Sequence, residues 1–140
     1  MMNGLVGQRA HRILKHFDHY RPLYDASRAI PAYLQHIALQ PGETLIGVYE
    51  NLPGEEDEII VITDLGIHLL VNEKWDLFRY DQINRVETPP SKEHVEGLTV
   101  WLISGREIWI PVKGGRGRAR DVFEFLRFLD RVIDDMRRPS

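Results

Sequence analysis

The pattern of apolar and polar residues is most regular near the C-terminus, where two short apolar runs precede a long amphipathic segment. The runs 98–103 and 107–112 are rich in β-branched and aromatic residues and flank a Ser-Gly pair, which predicts a β-hairpin. From about Ala119 to Met136, apolar residues recur at helical spacing and cover an arc of about 120°. We therefore expect a helix that buries one face. The arc comprises Val122, Phe125, Leu126, Leu129, Val132, Ile133 and Met136, with Phe128 at its border and Phe123 outside it.

Two registers are possible for the hairpin, and they differ in which residues share a face. With a two-residue turn at Ser104-Gly105, Trp101 would lie opposite Ile108, and the two tryptophans of the hairpin would face different sides of the sheet. With a three-residue turn, one face would be wholly aliphatic. We prefer this second register because it gives the core a continuous apolar surface. That face would comprise Leu98, Val100, Leu102, Ile108, Ile110 and Val112.

In either register at least one of Trp101 and Trp109 faces away from the core. An apolar patch of this kind is seldom left in water on a monomeric protein. We expect it to be covered either by the N-terminal helices, through residues such as Ile13, Leu14 and Phe17, or by another subunit. The candidate partner-binding residues are therefore Trp101, Trp109, Ile13 and Phe17.

Residues 1–40 are predicted to form a helical extension. Apolar residues keep helical spacing between about Leu5 and Tyr20, and a second, shorter helix is expected to start near Ser27 or Pro31. The other side of the first helix is basic and could lie on an anionic membrane surface. We favour the alternative, in which its apolar stripe packs on the protein's own sheet. The basic residues concerned are Arg9, Arg12 and Lys15.

Between this extension and the hairpin, apolar runs bounded by turn residues predict further strands at 44–50, 58–63, 67–71, 75–80 and 83–87. Together with the hairpin, they make seven short strands followed by one C-terminal helix. This order indicates an α+β fold in which a barrel or a sandwich is capped by the last helix.

Three segments carry a resemblance to a known superfamily: Pro41-Gly42-Glu43, residues 60–70 and residues 75–83. They contain an initial PGE, a hairpin of the form TD-x-G-hydrophobic, and a W-x-x-x-x-Y-x-x-I strand pair. In these features the chain resembles the pleckstrin-homology-like (PH-like) superfamily and is most similar to its GRAM and bacterial PH members. The resemblance covers about Leu39 to Met136, so residues 1–40 are expected to be an extension and residues 41–140 the PH-like domain.

The resemblance implies a strongly bent, seven-stranded sheet plugged at one end by the last helix. It also implies a binding or scaffolding module rather than an enzyme, without a cofactor. Bacterial members often form oligomers, so a protein partner or further copies of the chain are the expected ligands. Lipid-binding members carry a basic loop between the first two strands, whereas residues 55–58 are all acidic here. Because carboxylates repel an inositol phosphate, we expect no phosphoinositide at this loop.

Composition narrows the class of protein further. The chain has 140 residues, 43% of them hydrophobic, which suffices for one domain with a core, and a net charge of −3, which argues against broad nucleic-acid binding. The absence of cysteine excludes disulfides and thiolate chemistry. No apolar run approaches the ~20 residues that span a bilayer, and the N-terminal residues lack the apolar core of a signal peptide. We therefore expect a cytoplasmic protein.

The glycine-rich segment 113–120, between the last strand and the helix, is a candidate anion site. It differs from a dinucleotide-binding fingerprint because Arg120 takes the place of the last glycine, and it lacks the Gly-Lys-Ser/Thr of a P-loop. Amides at a helix N-terminus together with basic side chains could hold a phosphate or a carboxylate. We favour the other interpretation, a corner with solvated arginines. The candidate anion-binding residues are Lys113, Arg116, Arg118 and Arg120.

Catalytic and metal-binding patterns are weak elsewhere. His11, His16 and His19 lie on the first predicted helix, but no cysteine or HExxH motif accompanies them, and we predict no metal site. Ser104 lacks the preceding glycine of a nucleophile elbow. The leading hypothesis is therefore a non-enzymatic, self-associating PH-like interaction module. The alternative is a peripheral membrane or anion-binding adaptor that uses the basic residues of the first helix or of segment 113–120.

Overall fold

Two antiparallel sheets and two α-helices make up the described part of this computed structural model, which comprises residues 2–15, 17, 19–23, 31–52, 55, 57–88, 96–113 and 120–137. The side chains of residues 2–4 and 120 lie outside the description. In chain order the elements are α1 (Met2–Leu14), β1 (Tyr20–Pro22), a 3-10 helix (Ala32–His36), β2 (Leu45–Glu50), β3 (Ile59–Thr63), β4 (Gly66–Val71), β5 (Lys74–Arg79), a second 3-10 helix (Tyr80–Gln82), β6 (Ile83–Glu87), β7 (Gly97–Leu102), β8 (Glu107–Pro111) and α2 (Arg120–Arg137).

The strands form one sheet in the order β1-β2-β3-β4-β5 and a second in the order β6-β7-β8. The predicted α+β class is confirmed, and all seven expected strands are present, but the described residues contain eight strands. The additional strand, β1, falls where the sequence predicted the end of the first helix, and it pairs Tyr20 with Tyr49. Its three residues are too few to show an alternating pattern. Pro22, which lacks an N–H, suits the sheet edge that β1 occupies.

The N-terminal segment differs from the two helices that we predicted. α1 ends at Leu14 rather than near Tyr20, because the chain turns there to place β1 against β2. The expected second helix is only the 3-10 helix Ala32–His36, and residues 24–30, where we placed one of its possible starts, lie outside the described residues. Such a short segment is held by its tertiary contacts rather than by helix propensity.

The N-terminal elements contact both sides of the first sheet. α1 packs against α2, and Arg9 forms a two-pronged ion pair with Asp135 of α2, with N–O distances of 3.1 and 3.2 Å. Tyr33 of the first 3-10 helix packs on the outer face of the sheet, and its hydroxyl donates to Glu50 at 3.1 Å. Residues 1–40 therefore contribute to the main core on one side and cover part of the sheet on the other.

α2 closes the core between the two sheets. All residues of its predicted apolar arc are buried or partly buried, and Phe128, at the border of that arc, is fully buried as well. Phe125 packs edge-on against both Phe128 and Tyr49 of β2, while Phe128 packs edge-on against Tyr80. These contacts join the helix to the first sheet and to the turn that precedes the second. Among the described residues, neither helix is long and apolar enough to cross a membrane.

The β7–β8 hairpin has the preferred, three-residue register. Val100 pairs with Ile108, Trp101 pairs with Glu107, and the six residues of the predicted aliphatic face are all buried. Gly105 has a φ of 95°, the left-handed conformation that the last loop residue of a three-residue hairpin adopts. Trp109 is 47% exposed, so the expectation of an outward-facing tryptophan is confirmed.

Replacing Leu129 by alanine should lower the free energy of unfolding by about 2–5 kcal/mol, because this side chain of α2 is fully buried in the core. Urea denaturation midpoints measure the change. Arg131→Ala, on the exposed side of the same helix, is the matched control and should stay within about 0.5 kcal/mol of the parent protein. If Leu129→Ala also falls within that range, α2 is not docked, and the PH-like arrangement fails with it.

Candidate functional site

The segments that carry the family resemblance meet in one hydrogen-bonded cluster at an end of the first sheet. Glu43, just before β2, is buried, with 3% of its side chain exposed. Its Oε2 accepts the Thr63 hydroxyl at 2.6 Å and lies 3.0 Å from His68 Nε2, while its Oε1 accepts the Gln40 N–H at 2.9 Å. Because a carboxylate can only accept, His68 Nε2 carries the proton of that contact. The cluster ties the start of β2 to the β3–β4 turn.

The surroundings of Glu43 hold its side chain in the ionised form. Burial alone would raise the pKa of this carboxyl, but the hydrogen bonds from Thr63, Gln40 and His68 outweigh burial and lower the pKa from its ordinary value. A general acid or base would instead need a pKa near the working pH. The ionised Glu43 side chain therefore serves as a hydrogen-bond acceptor that holds the segment before β2 against the end of β3.

Thr63 and Tyr80 extend this cluster through the β3–β4 turn. Thr63 Oγ1 accepts the N–H groups of Leu65 and Gly66 at 3.2 and 3.1 Å, and the Tyr80 hydroxyl donates to the Thr63 carbonyl at 2.8 Å. Burial raises the pKa of Tyr80 well above its ordinary value, so the hydroxyl remains a donor. A Cβ at Gly66 would collide with the backbone of Phe78. The motif residues thus have a structural explanation.

A shallow groove of about 210 Å³ lies beside His68 on the outer face of the first sheet. Its apolar lining includes Ile37, Trp75 and Leu77. No serine, threonine or tyrosine hydroxyl lines it, and the described residues contain no group of three or more metal-ligating side chains. Besides its apolar side chains, the groove therefore presents two imidazoles, from His36 and His68, and the carboxylate of Asp76.

The two charged loops singled out in the sequence meet in the structure. Lys113 Nζ lies 2.7 and 3.0 Å from the two carboxylate oxygens of Glu58. This hydrogen bond raises the pKa of Lys113. The acidic segment 55–58 thereby neutralises part of the basic segment 113–120, and an anion at Lys113 would have to displace Glu58.

The other basic candidates differ in what the structure shows of them. Arg116 and Arg118 lie outside the described residues, as does the side chain of Arg120, so their role in anion binding stays a prediction. Arg9 of α1 forms an ion pair with Asp135, while Arg12 of the same helix and Lys15, directly after it, are exposed.

Asn51, directly after β2, holds the two charged loops together and was not recognised from the sequence. Its Nδ2 donates to the carbonyls of Glu58 and Pro111 at 2.8 and 2.7 Å, and its Oδ1 accepts the Lys113 N–H at 2.7 Å. The side chain is thereby satisfied although the residue is only 3% exposed. An asparagine before a Pro-Gly pair predicts only a turn, whereas one of its partners lies 60 residues away.

The outer face of the second sheet carries both candidate tryptophans. Trp101 is partly buried: the Arg85 guanidinium lies 5.0 Å from its ring centroid, and its indole N–H donates to Glu87 at 3.3 Å. The ring of Trp109 lies over Gly97, where a Cβ would come within 2.5 Å of its Cζ2. Trp101 therefore has partners within the sheet, whereas Trp109 packs on bare backbone.

Ile13 and Phe17 lie away from the tryptophans. They are 5% and 4% exposed, belong to the main core, and Phe17 packs edge-on against Tyr49. α1 packs mainly against α2 and β2, so the anticipated cover by the N-terminal helix is not formed through these residues. Within the described residues, Trp109 and the 70% exposed Ile103 remain at the surface, and their role in partner binding stays a prediction.

Comparison with known proteins adds no identification: no protein-family model, no curated protein and no solved structure matches this chain. The interpretation of the site therefore depends on the contacts, burial and charges of the residues above.

Replacing Glu43 by glutamine should lower the free energy of unfolding by about 1–3 kcal/mol at neutral pH, because an amide cannot accept all of these hydrogen bonds. Since the native pKa is lowered, this contribution is present above the ordinary value of 4.5 and is lost as pH falls through the native pKa. Denaturant midpoints should show the difference between the two proteins shrinking toward pH ~3. Glu73→Gln, at the exposed β4–β5 turn, is the control. A difference that does not change with pH would contradict the prediction.

Replacing Asn51 by aspartate should lower the free energy of unfolding by about 3 kcal/mol, because the new carboxylate would face the carbonyls of Glu58 and Pro111 without a proton to donate. Urea denaturation measures the loss. Asn84→Asp makes the same change at an exposed position of β6 and should stay within about 0.5 kcal/mol of the parent. Equal, small losses in both variants would mean that Asn51 does not hold the loops together.

Proposed function

We propose that this chain is a cytoplasmic, non-enzymatic PH-like module that binds proteins and associates with further copies of itself. The observation that carries the proposal is the outer face of the second sheet, where Trp109 is 47% exposed, together with Ile103, 70% exposed in the adjoining β7–β8 turn. Trp101 lies on the same face with Arg85 stacked over its ring. Tryptophan and arginine are the residue types most enriched at protein-interaction surfaces.

The order of the elements supports the PH-like part of the proposal. β2 to β5 are consecutive antiparallel neighbours, β6 to β8 form the second sheet, and α2 follows them and packs on the core. This is the arrangement that the resemblance implies, with β1 as an addition at the edge of the first sheet. The motif residues Glu43, Thr63 and Gly66 lie in one structural cluster, as expected of motifs that specify a fold rather than a reaction.

The charges favour a protein partner over an anionic ligand or a membrane surface. Arg9 and Lys113 already pair with Asp135 and Glu58, so an anion at either position would have to compete with a carboxylate. The exposed face of the second sheet carries acidic as well as basic side chains beside its tryptophans. A surface with aromatic residues and charges of both signs fits a protein partner, whereas a surface with positive charges alone would fit an anionic ligand or membrane.

Replacing Trp109 by arginine should weaken self-association by at least about tenfold, because a large apolar contact is exchanged for a charge. Sedimentation equilibrium over a range of protein concentrations measures the change, and urea denaturation should confirm that the fold is retained. Leu77→Arg is the matched control, since Leu77 is 52% exposed but belongs to β5 of the first sheet. Leu77→Arg should leave association unchanged.

Sedimentation with vesicles separates the proposal from the alternative function. The proposal expects no binding to vesicles that contain anionic lipid. Binding that fades as salt is added would instead support the adaptor. If Trp109→Arg associates as the parent protein does, the outer face of the second sheet is not the interaction surface.

A further inference from the structure

The edge strand of the second sheet has backbone groups that point away from its neighbour. In β8, the register with β7 and the hydrogen bond from Leu102 N–H to the Arg106 carbonyl determine the direction of each group. Because the direction alternates along an antiparallel strand, Ile108 and Ile110 bond to β7, while Glu107 and Trp109 direct their N–H and C=O groups outward.

Two other stretches of sheet edge, one on β5 and one at the end of β8 itself, are closed by side chains. On β5, the Leu77 N–H donates to Asp76 Oδ1 and the Arg79 N–H donates to Gln82 Oε1, both at 2.9 Å. At the C-terminal end of β8, the amide of Asn51 bonds to the Pro111 carbonyl and the Lys113 N–H, as a neighbouring strand would. Closed edges of this kind prevent unwanted strand pairing.

The stretch from Glu107 to Trp109 is not closed in this way. Within the described part of the chain, no side chain or backbone group bonds to the outward N–H or C=O of either residue. Their side chains are exposed and, among those same residues, form no hydrogen bond or ion pair. The indole N–H of Trp101, in contrast, donates to Glu87 on the neighbouring strand. Trp109 has the same indole N–H donor and Glu107 the same carboxylate acceptor, but neither group has a partner among the described residues.

We propose that a second copy of this chain binds here, with the two β8 strands antiparallel and Glu107 of each copy opposite Trp109 of the other. This inference rests on the self-association in the proposed function and names the strand through which it occurs. The two-fold axis would pass beside Ile108, and each Glu107–Trp109 pair would exchange both of its backbone hydrogen bonds. Each Glu107 carboxylate would then reach the indole N–H of the opposite Trp109, which repeats the Trp101–Glu87 contact.

The structure also favours this register over the adjacent one, in which Trp109 of each copy would lie opposite Trp109 of the other. If Trp109 lay opposite Trp109, Glu107 would have to pair with Pro111 of the second copy. Pro111 has no N–H, and its carbonyl already accepts the Asn51 amide. On the other side, Gly105 N–H bonds back to the Leu102 carbonyl within the hairpin loop, so the open edge ends there. The open edge is therefore bounded at both ends and is complementary to itself.

The first experiment compares Glu107→Pro with Glu107→Ala by sedimentation equilibrium. Both variants lack the carboxylate, but only the proline variant lacks the outward N–H, and a proline there removes no hydrogen bond to β7. We expect Glu107→Pro to dimerise at least about tenfold more weakly than Glu107→Ala, because one backbone bond is lost from each copy. Protein concentrations should extend to about 1 mM, since an interface this small gives weak association.

The second experiment reads the register directly and does not depend on the proline variant folding. The chain has no cysteine, so Glu107→Cys and Trp109→Cys proteins can be mixed and oxidised. Opposed residues in an antiparallel pair have Cα atoms about 5.5 Å apart, within reach of a disulfide. We expect the mixed disulfide to form faster than either homodimer. Mass spectrometry distinguishes the three products.

Two results would overturn the inference while leaving the proposed function standing, provided that Trp109→Arg still weakens association. One is equal dimerisation of Glu107→Pro and Glu107→Ala with both variants folded. The other is a Trp109→Cys homodimer that forms in preference to the mixed product. A parent chain that stays monomeric up to about 1 mM would overturn this inference together with the self-association from which it starts.

Discussion

Burial of the apolar face of α2 is the interaction on which both sheets depend. A sheet of three or five strands is stable only when an apolar face of it is covered. In this fold the inner faces of both sheets meet the same helix. A set of edge-on aromatic contacts runs from Tyr49 of the first sheet through Phe125 and Phe128 to Tyr80, in the turn that precedes the second sheet. The Tyr49 hydroxyl also donates to buried Asp121 at the start of α2, which orients the helix on the first sheet.

The charged side chains that looked most like ligand sites are largely used to hold this arrangement together. Glu58 forms an ion pair with Lys113, and Asp135 forms one with Arg9. Glu43 accepts hydrogen bonds beside the β3–β4 turn. At the described surface of the second sheet, Trp109 remains exposed among charged side chains. Among the described residues, two of the basic candidates, Arg9 and Lys113, are thus already paired with carboxylates.

Local patterns in the sequence predicted local structure well. α2 and the seven longer strands follow from periodicity, and the hairpin register follows because only the three-residue turn makes one face wholly aliphatic. β1 did not follow, and the second helix expected from near Ser27 or Pro31 is only the 3-10 helix Ala32–His36. These elements have three and five residues and form against β2 and the outer face of the first sheet. Their sequences alone carry little preference for either structure.

The candidate site was predictable to the same extent. The outward position of Trp109 depends on the alternation of a single strand, so the sequence was sufficient. The pairing of Lys113 with Glu58 and the role of Asn51 join residues 55 to 62 positions apart, and no short-range pattern records such contacts. Sequence reasoning therefore identified both charged loops but not that they neutralise each other.

The packing of α1 on α2 has a consequence for how the chain is made. Arg9 and Asp135 are 126 residues apart, so the ribosome adds α2 long after α1 has formed. At ordinary elongation rates this interval is about 6–25 s. Throughout it, the apolar stripe of α1, with Val6, Ala10 and Leu14, lacks its main partner. The inner faces of the sheets lack the same cover, so a chaperone that binds short apolar helices would find one of its targets in the first fifteen residues.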